Sequence, residues 1–368
     1  MLSLFERGAR VLRAREAIRT LNEYCPPLGG RDGLRLDFNE NTAGCSPRVL
    51  ECLRNLGGET LARYPQREQS EGIVAEYLDI ARDELLLTNG TDEAIHLVCQ
   101  TYLQPADEAL IVVPTFAMFE IYAAATGARV ISIPAAPNFE FPTESVLAHI
   151  SRRTRFIAVA NPNNPTGTFV PSRNLIQIAK AAPDAAILVD EAYFEFCGET
   201  MIRQWREFPN IFVSRTFSKA YGLAGLRIGL LMGNQDQMPV LRRASSPYNL
   251  NSVALACLPA ALADQAYVQD YVAQAIEGRG QLESRLSAWG IRFWPSRANF
   301  VLFHLGRKCE SFVRDMRKRG ILVRDRSKDY GCAGCVRITV GTREHNRQLL
   351  TALDEVFASI GLREQVTR

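Results

Sequence analysis

Phe156-Ile157-Ala158-Val159-Ala160-Asn161-Pro162-Asn163-Asn164-Pro165-Thr166-Gly167 is an apolar run closed by asparagines, prolines and a glycine. The run reads as a buried strand, and the residues after it force a tight turn at the strand's end. Outward from this unit, short apolar runs alternate with helical patterns from about Glu84 to Gly233. The expected strands upstream are Leu85–Leu87, Ala109–Val113 and Arg129–Ile133. Those downstream are Ala186–Val189, Ile211–Ser214 and Ile228–Met232. Helical patterns over Asp92–Leu103, Phe116–Ala125 and Ser172–Ala182 lie between them. This alternation predicts an α/β fold with a mainly parallel seven-stranded sheet flanked by helices. Ligands in such sheets gather at the carboxyl ends of the strands, where Thr88-Asn89-Gly90 and the Asn163 to Gly167 turn fall.

After about residue 265 the texture changes. A long charged helical stretch leads to Phe300-Val301-Leu302-Phe303, a helix through Arg319, strands near Ile321–Val323 and Val336–Val340, and a last helix from Glu344. The expectation is a smaller α+β domain of residues 1–44 and 261–368 beside a large domain of residues 45–260. A chain of 368 residues accommodates two domains. Near the start, Arg7, Arg10, Arg13, Arg15 and Arg19 are interrupted by Glu6, Glu16 and Glu23, unlike an acid-poor transit peptide. Leu4, Val11, Ala14, Ile18 and Leu21 fall on one helical face, which predicts a docked amphipathic helix.

Composition narrows the function classes. Lys and Arg total 43 against 40 Asp and Glu, a net charge of +3 without blocks of like charge, so neither nucleic acid nor a membrane surface is an expected partner. The longest uncharged stretch, Ala244 to Ala263, is too polar for a bilayer span. Nine cysteines lack the dense spacing of a secreted disulfide framework, which points to buried thiols in a reducing, cytoplasmic compartment. Cys332-Ala333-Gly334-Cys335 has no second pair, and the histidines are only His96, His149, His304 and His345, so no metal site is expected.

Three segments carry the chemistry. Ser214-Arg215-Thr216-Phe217-Ser218-Lys219-Ala220-Tyr221-Gly222-Leu223-Ala224-Gly225-Leu226-Arg227 follows a buried strand. A lysine among hydroxyls and glycines, with an arginine eight residues on, suits pyridoxal 5'-phosphate: an amine for its aldehyde, with Ser218 and Arg227 for its phosphate. Taken alone, Lys219 reads as a surface lysine. Ile187-Leu188-Val189-Asp190-Glu191-Ala192-Tyr193 ends a strand on an acid that can keep the pyridine nitrogen protonated, with Tyr193 in reach of the ring oxygen. A lone Asp at a strand end is otherwise a solvated cap. The Asn161 to Gly167 turn completes the set, placing the Asn164 amide against the ring oxygen.

In this order and spacing the segments resemble fold-type I pyridoxal-phosphate aminotransferases. Within that group the chain is similar to the histidinol-phosphate aminotransferase family along nearly its whole length. Leu36-Asp37-Phe38-Asn39-Glu40-Asn41 resembles the family's early segment, with Thr42 in place of its usual proline. Arg63-Tyr64-Pro65 resembles the segment whose tyrosine reaches the neighbouring subunit's site. Gly90-Thr91-Asp92-Glu93 resembles the phosphate-binding helix start, and Phe116 stands where a ring-stacking tyrosine is more usual. Val323-Arg324-Asp325-Arg326 and Cys335-Val336-Arg337-Ile338-Thr339-Val340-Gly341-Thr342 resemble the segments of the paired substrate arginines.

The resemblance implies catalytic roles for Lys219, Asp190 and Tyr193. It implies a cofactor site of Tyr64, Gly90, Thr91, Asp92, Phe116, Asn164, Asp190, Tyr193, Thr216, Ser218, Lys219 and Arg227, and substrate contacts from Tyr24, Asn39, Arg324 and Arg337. The implied reaction takes L-histidinol phosphate and 2-oxoglutarate to imidazole-acetol phosphate and L-glutamate, and runs in reverse in histidine biosynthesis. An aromatic or other L-amino-acid aminotransferase and a threonine-phosphate decarboxylase-like lyase are the alternatives. Partners are then a small-molecule amino donor, a keto-acid acceptor and a second copy of the chain, in a homodimer with shared active sites.

Overall fold

The computed structural model describes residues 12–26, 29–30 and 32–362. A short strand, β1 (Leu34–Arg35), precedes the main sheet. That sheet is built from β2 (Leu85–Thr88), β3 (Glu108–Val113), β4 (Arg129–Pro134), β5 (Thr154–Ala160), β6 (Ala186–Asp190), β7 (Ile211–Thr216) and β8 (Gly229–Met232), in the order β2-β8-β7-β6-β5-β3-β4. β3 to β7 run parallel, and β8 is antiparallel to both of its neighbours. All seven expected strands are present. β5 begins two residues earlier than its apolar run, at Thr154.

Every residue of β6 and β7 is buried, as expected of strands covered on both faces. Successive side chains point to opposite faces. Ile187 and Val189 therefore join the same core as Ile157 and Val159, whereas Ala186 and Leu188 join a second core with Phe156 and Ala158. The helix expected from Phe116 starts at Met118. Thr115 Oγ1 is hydrogen-bonded to Asn163 Oδ1 at 2.7 Å, so the chain turns there and Phe116 lines a cavity instead of a helix face.

The second sheet holds β9 (Phe293–Trp294), β10 (Phe300–His304), β12 (Arg324–Asp325) and β13 (Cys335–Thr339), antiparallel in the order β12-β13-β10-β9, while β11 (Ile321–Leu322) pairs in parallel with β1. The N–H of Thr339 also donates to Leu36 O at 2.9 Å. On this pairing we propose the division into residues 45–260 and residues 1–44 with 261–368. The helices Cys309–Lys318 and Arg343–Ser359 bury Phe312, Met316, Leu353 and Phe357. Thr342 caps the second, accepting from the N–H of His345 at 3.2 Å.

The N-terminal expectation needs correction. The helix near Ile18 covers only Glu16–Arg19 and buries no residue. It lies against the helix Met118–Ala125, with Arg15 Nη2 donating to Ala125 O at 3.1 Å; of the described stripe residues Ala14 and Ile18 are exposed and Leu21 is half-buried. Leu4 and Val11 lie outside the described residues. All nine cysteines are free, five of them buried. Among the described residues no group of side chains could hold a metal ion, and no helix is long and apolar enough to cross a membrane.

Candidate active site

The carboxyl ends of the parallel strands deliver the chemistry-bearing residues to one edge. Phe116 follows β3, Asn164 follows β5, Asp190 ends β6 and Lys219 follows β7. Antiparallel β8 starts at that same edge, so Arg227 arrives from the other direction.

A cavity of about 310 Å³ opens there, lined by Thr91, Asp92, Phe116, Asn164, Asp190 and Tyr193 with Thr216, Ser218, Lys219 and Arg227. It shares Phe38, Phe116, Asn164, Tyr193 and Lys219 with an outer cavity of about 360 Å³. The outer cavity adds Tyr24, Asn39, Arg324 and Arg337. Ten of the residues expected to hold the cofactor thus meet in the inner space, and the four expected to hold substrate meet in the outer. Tyr64 joins neither: it is 77% exposed and stacks on Tyr248 with ring centroids 4.3 Å apart.

Asp190 is buried on the floor of the inner cavity, and Ser214 Oγ donates to its Oδ1 at 2.7 Å. Burial pushes its carboxyl up to about 7; the hydroxyl opposes this, and the charges of Asp92 and Glu191 add to it. A carboxylate so placed gains most from a cation beside it. Lys219 Nζ donates to Phe38 O at 3.0 Å, and burial first, then the positive charge of Arg337, lowers its ammonium to about 8. The neutral amine is therefore easier to reach than that of a solvated lysine. Tyr193 OH accepts from Asn39 Nδ2 at 2.8 Å, which leaves its own proton available to a further acceptor.

The phosphate end is shaped by two glycines. Gly90 opens the helix Gly90–Tyr102 at φ +72, and a Cβ there would lie 2.6 Å from Arg227 Nη2. A Cβ on Gly229 would lie 2.7 Å from the carbonyl carbon of Gly90. Their absence lets the guanidinium sit over the helix start, where backbone N–H groups favour an anion. Asp92 pairs with Arg227 Nη2 at 2.9 Å, so its carboxylate orients the arginine.

On the outer side, Arg337 is buried in the middle of β13 and donates through Nη2 to Asp37 O at 2.7 Å and through Nη1 to Asn164 Oδ1. With its carbonyl oxygen occupied by Arg337, Asn164 presents its amide nitrogen to the cavity.

Sequence reasoning did not single out several supports. Asn161 ties the turn down, donating to Val170 O at 3.0 Å and accepting from Val170 N at 2.8 Å. Asn163 donates to Pro114 O and to Thr166 Oγ1. Thr339 and Asn299 fix Asn39, which has the left-handed φ of 57. Arg326, Lys328, Asp329 and Tyr330, on the β12–β13 connection, also line the outer cavity. The signal available for these was adjacency to the arginine segment.

Residues 31–353 match the family model of aminotransferase class I and II. The chain is 33% identical over 370 residues to a histidinol-phosphate aminotransferase of Moorella thermoacetica, covering 95% of this chain and 94% of that one. The chain belongs to the class I and II aminotransferases, in the histidinol-phosphate aminotransferase family. Histidinol-phosphate aminotransferase 2 of Methylococcus capsulatus is 37% identical over 362 residues, covering 92% of this aminotransferase and 97% of that one. A crystal structure of histidinol-phosphate aminotransferase from Sinorhizobium meliloti in complex with pyridoxal-5'-phosphate superposes with a TM-score of 0.85 at 25% identity, covering 96% of this aminotransferase and all of that chain.

The donors present in the aminotransferase fit pyridoxal 5'-phosphate. A half-buried amine suits the aldehyde, a buried carboxylate at the cavity floor suits a protonated ring nitrogen, and the glycine cradle under Arg227 suits the phosphate.

Proposed function

We propose that this protein catalyses pyridoxal-phosphate-dependent transamination between L-histidinol phosphate and 2-oxoglutarate, yielding imidazole-acetol phosphate and L-glutamate, and running in reverse in histidine biosynthesis. The observation that carries this reading is the half-buried amine of Lys219, shared by an inner cavity with Asp190 and Arg227 and an outer one with Arg324 and Arg337. When bound, pyridoxal 5'-phosphate supplies an aldehyde for the substrate amine and a cationic ring that takes up the electron pair left at the substrate α-carbon.

The chain's own residues do the rest. Lys219 Nζ would serve as the base that takes the proton from the substrate α-carbon and as the acid that gives it back. Asp190 keeps the proton on the ring nitrogen. Tyr193 OH and the Asn164 amide would donate to the cofactor's ring oxygen, and Phe116 would cover its ring. Arg227 and the helix start at Gly90, Thr91 and Asp92, with Thr216 and Ser218, hold the cofactor phosphate.

One pocket must accept the carboxylates of glutamate and the phosphate of histidinol phosphate. The planar guanidinium of Arg337 can grip either anion through two parallel N–H groups. Arg324 has a buried Nη1 without a hydrogen-bond partner, and Tyr24 stands at the rim. The exposed Tyr64 and Tyr248 stack supports a homodimer in which Tyr64 reaches the second subunit's site. Nine free thiols support a cytoplasmic location.

With 2-oxoglutarate as acceptor, L-histidinol phosphate should outperform L-phenylalanine as amino donor, by at least tenfold in kcat/KM, and L-threonine phosphate should release no carbon dioxide. A preference for phenylalanine would move the substrate to the aromatic amino acids. Carbon dioxide release would make the protein a lyase.

A further inference from the structure

The connection between β12 and β13 places one more arginine in the outer cavity than the reaction above uses. Arg326 is held by its backbone, its N–H donating to Cys335 O at 2.9 Å, and its side chain is only 13% exposed. Its Nη2 is paired with Asp329 Oδ2, and a short turn, Asp329 N to Arg326 O at 2.9 Å, brings the two together. Each of the three arginines that line this cavity has a buried guanidinium nitrogen without a hydrogen-bond partner: Arg324 Nη1, Arg326 Nε and Arg337 Nε. The ion pair between Arg326 and Asp329 is largely shielded from solvent, the two side chains being 13% and 27% exposed. Burial raises the Asp329 carboxyl, while Arg326 first, then Arg337 and Arg324, pull it down, which puts this carboxylate within the field of all three arginines.

A buried donor without a partner is costly, and three such arginines around one cavity suit an anion with several oxygens. One bidentate guanidinium matches the single charge of a carboxylate. A phosphate monoester carries nearly two charges and three terminal oxygens, and takes more than one. We propose that Arg326 is a specificity-determining residue for the substrate's phosphate monoester, and that Asp329 is its resident counter-ion, exchanged for that phosphate when substrate binds. The proposal rests on the reading of the substrate as a phosphate ester, and its location in the outer cavity separates it from the cofactor phosphate held by Arg227.

The test compares Arg326→Gln, Arg326→Lys and Asp329→Asn enzymes, each loaded with cofactor. The KM for imidazole-acetol phosphate and that for 2-oxoglutarate are measured separately, and inorganic phosphate is titrated by calorimetry. Arg326→Gln should raise the KM for the phosphate substrate about tenfold or more, the size of a lost charge-assisted contact, against threefold or less for 2-oxoglutarate. Arg326→Lys should recover part of that loss. Asp329→Asn should bind inorganic phosphate more tightly than the parent. Equal losses for both substrates, or weaker phosphate binding by Asp329→Asn, would overturn the assignment. Should the parent enzyme fail to use imidazole-acetol phosphate, the functional reading falls. The phosphate titration still decides on Arg326: binding lost in Arg326→Gln supports its role, and unchanged binding refutes it.

Discussion

Lys219→Ala enzyme should show no steady turnover, a loss on the order of 10⁴-fold or more, since one deletion removes both the nucleophilic amine and the positioned proton carrier. The rest of the site predicts that the cofactor is not lost with it. Arg227, the Gly90 helix start and the Asp190 carboxylate approach the inner cavity from other strands and do not depend on the lysine for their positions. The substituted protein should therefore still take up pyridoxal 5'-phosphate and release it on dialysis, unlike the parent. A variant that turned over within tenfold of the parent would remove Lys219 from the reaction.

Asp190→Asn should bind cofactor yet transaminate about a thousandfold more slowly, comparable to deleting a principal electrostatic group from an active site. Asparagine keeps the acceptor that Ser214 Oγ uses, so the floor of the cavity should hold its shape. What it lacks is the negative charge that keeps a proton on the ring nitrogen. The same substitution has a sign on stability that a merely structural residue would not show. With the folded carboxyl raised to about 7 from an ordinary 3.8, the folded chain binds more protons than the unfolded one between those values. This group therefore costs the cofactor-free protein stability as pH rises from about 4 to about 7. Cofactor-free Asp190→Asn should melt no lower than the parent at pH 8. A clear drop in melting temperature there would mean that the ionised carboxylate is satisfied by the protein alone and is not waiting for a cation.

The large sheet was legible because its strands are buried on both faces and so read as uninterrupted apolar runs between turn residues. The five buried residues Ala186 to Asp190 and the asparagine turn after Ala160 left little freedom in placing the edge of the sheet. Lys219, Asp190, Asn164 and Arg227 stand out for the same reason: each lies directly after, at the end of, or just before such a run. The supports were not legible, because they depend on contacts across long separations. Asn39 meets Tyr193, 154 residues away, and Thr339, 300 residues away. No local pattern announces such a pair. Arg326 sat two residues from an arginine that was singled out, but its charge became informative only once Asp329 and the unpartnered nitrogens around it were seen. The N-terminal stripe failed in the opposite way. Its spacing is helical, but the described helix is a single turn, Glu16–Arg19, whose Ile18 stays exposed beside the helix Met118–Ala125.

The most direct measurement loads the enzyme with pyridoxamine 5'-phosphate and follows the cofactor's visible absorbance after imidazole-acetol phosphate or phenylpyruvate is added in separate single-turnover experiments. The arrangement of Lys219 between an inner cofactor cavity and an outer arginine-lined cavity predicts rapid conversion with imidazole-acetol phosphate, at least tenfold more efficient than with phenylpyruvate. Conversion that favours phenylpyruvate, or none with either keto compound, would contradict it.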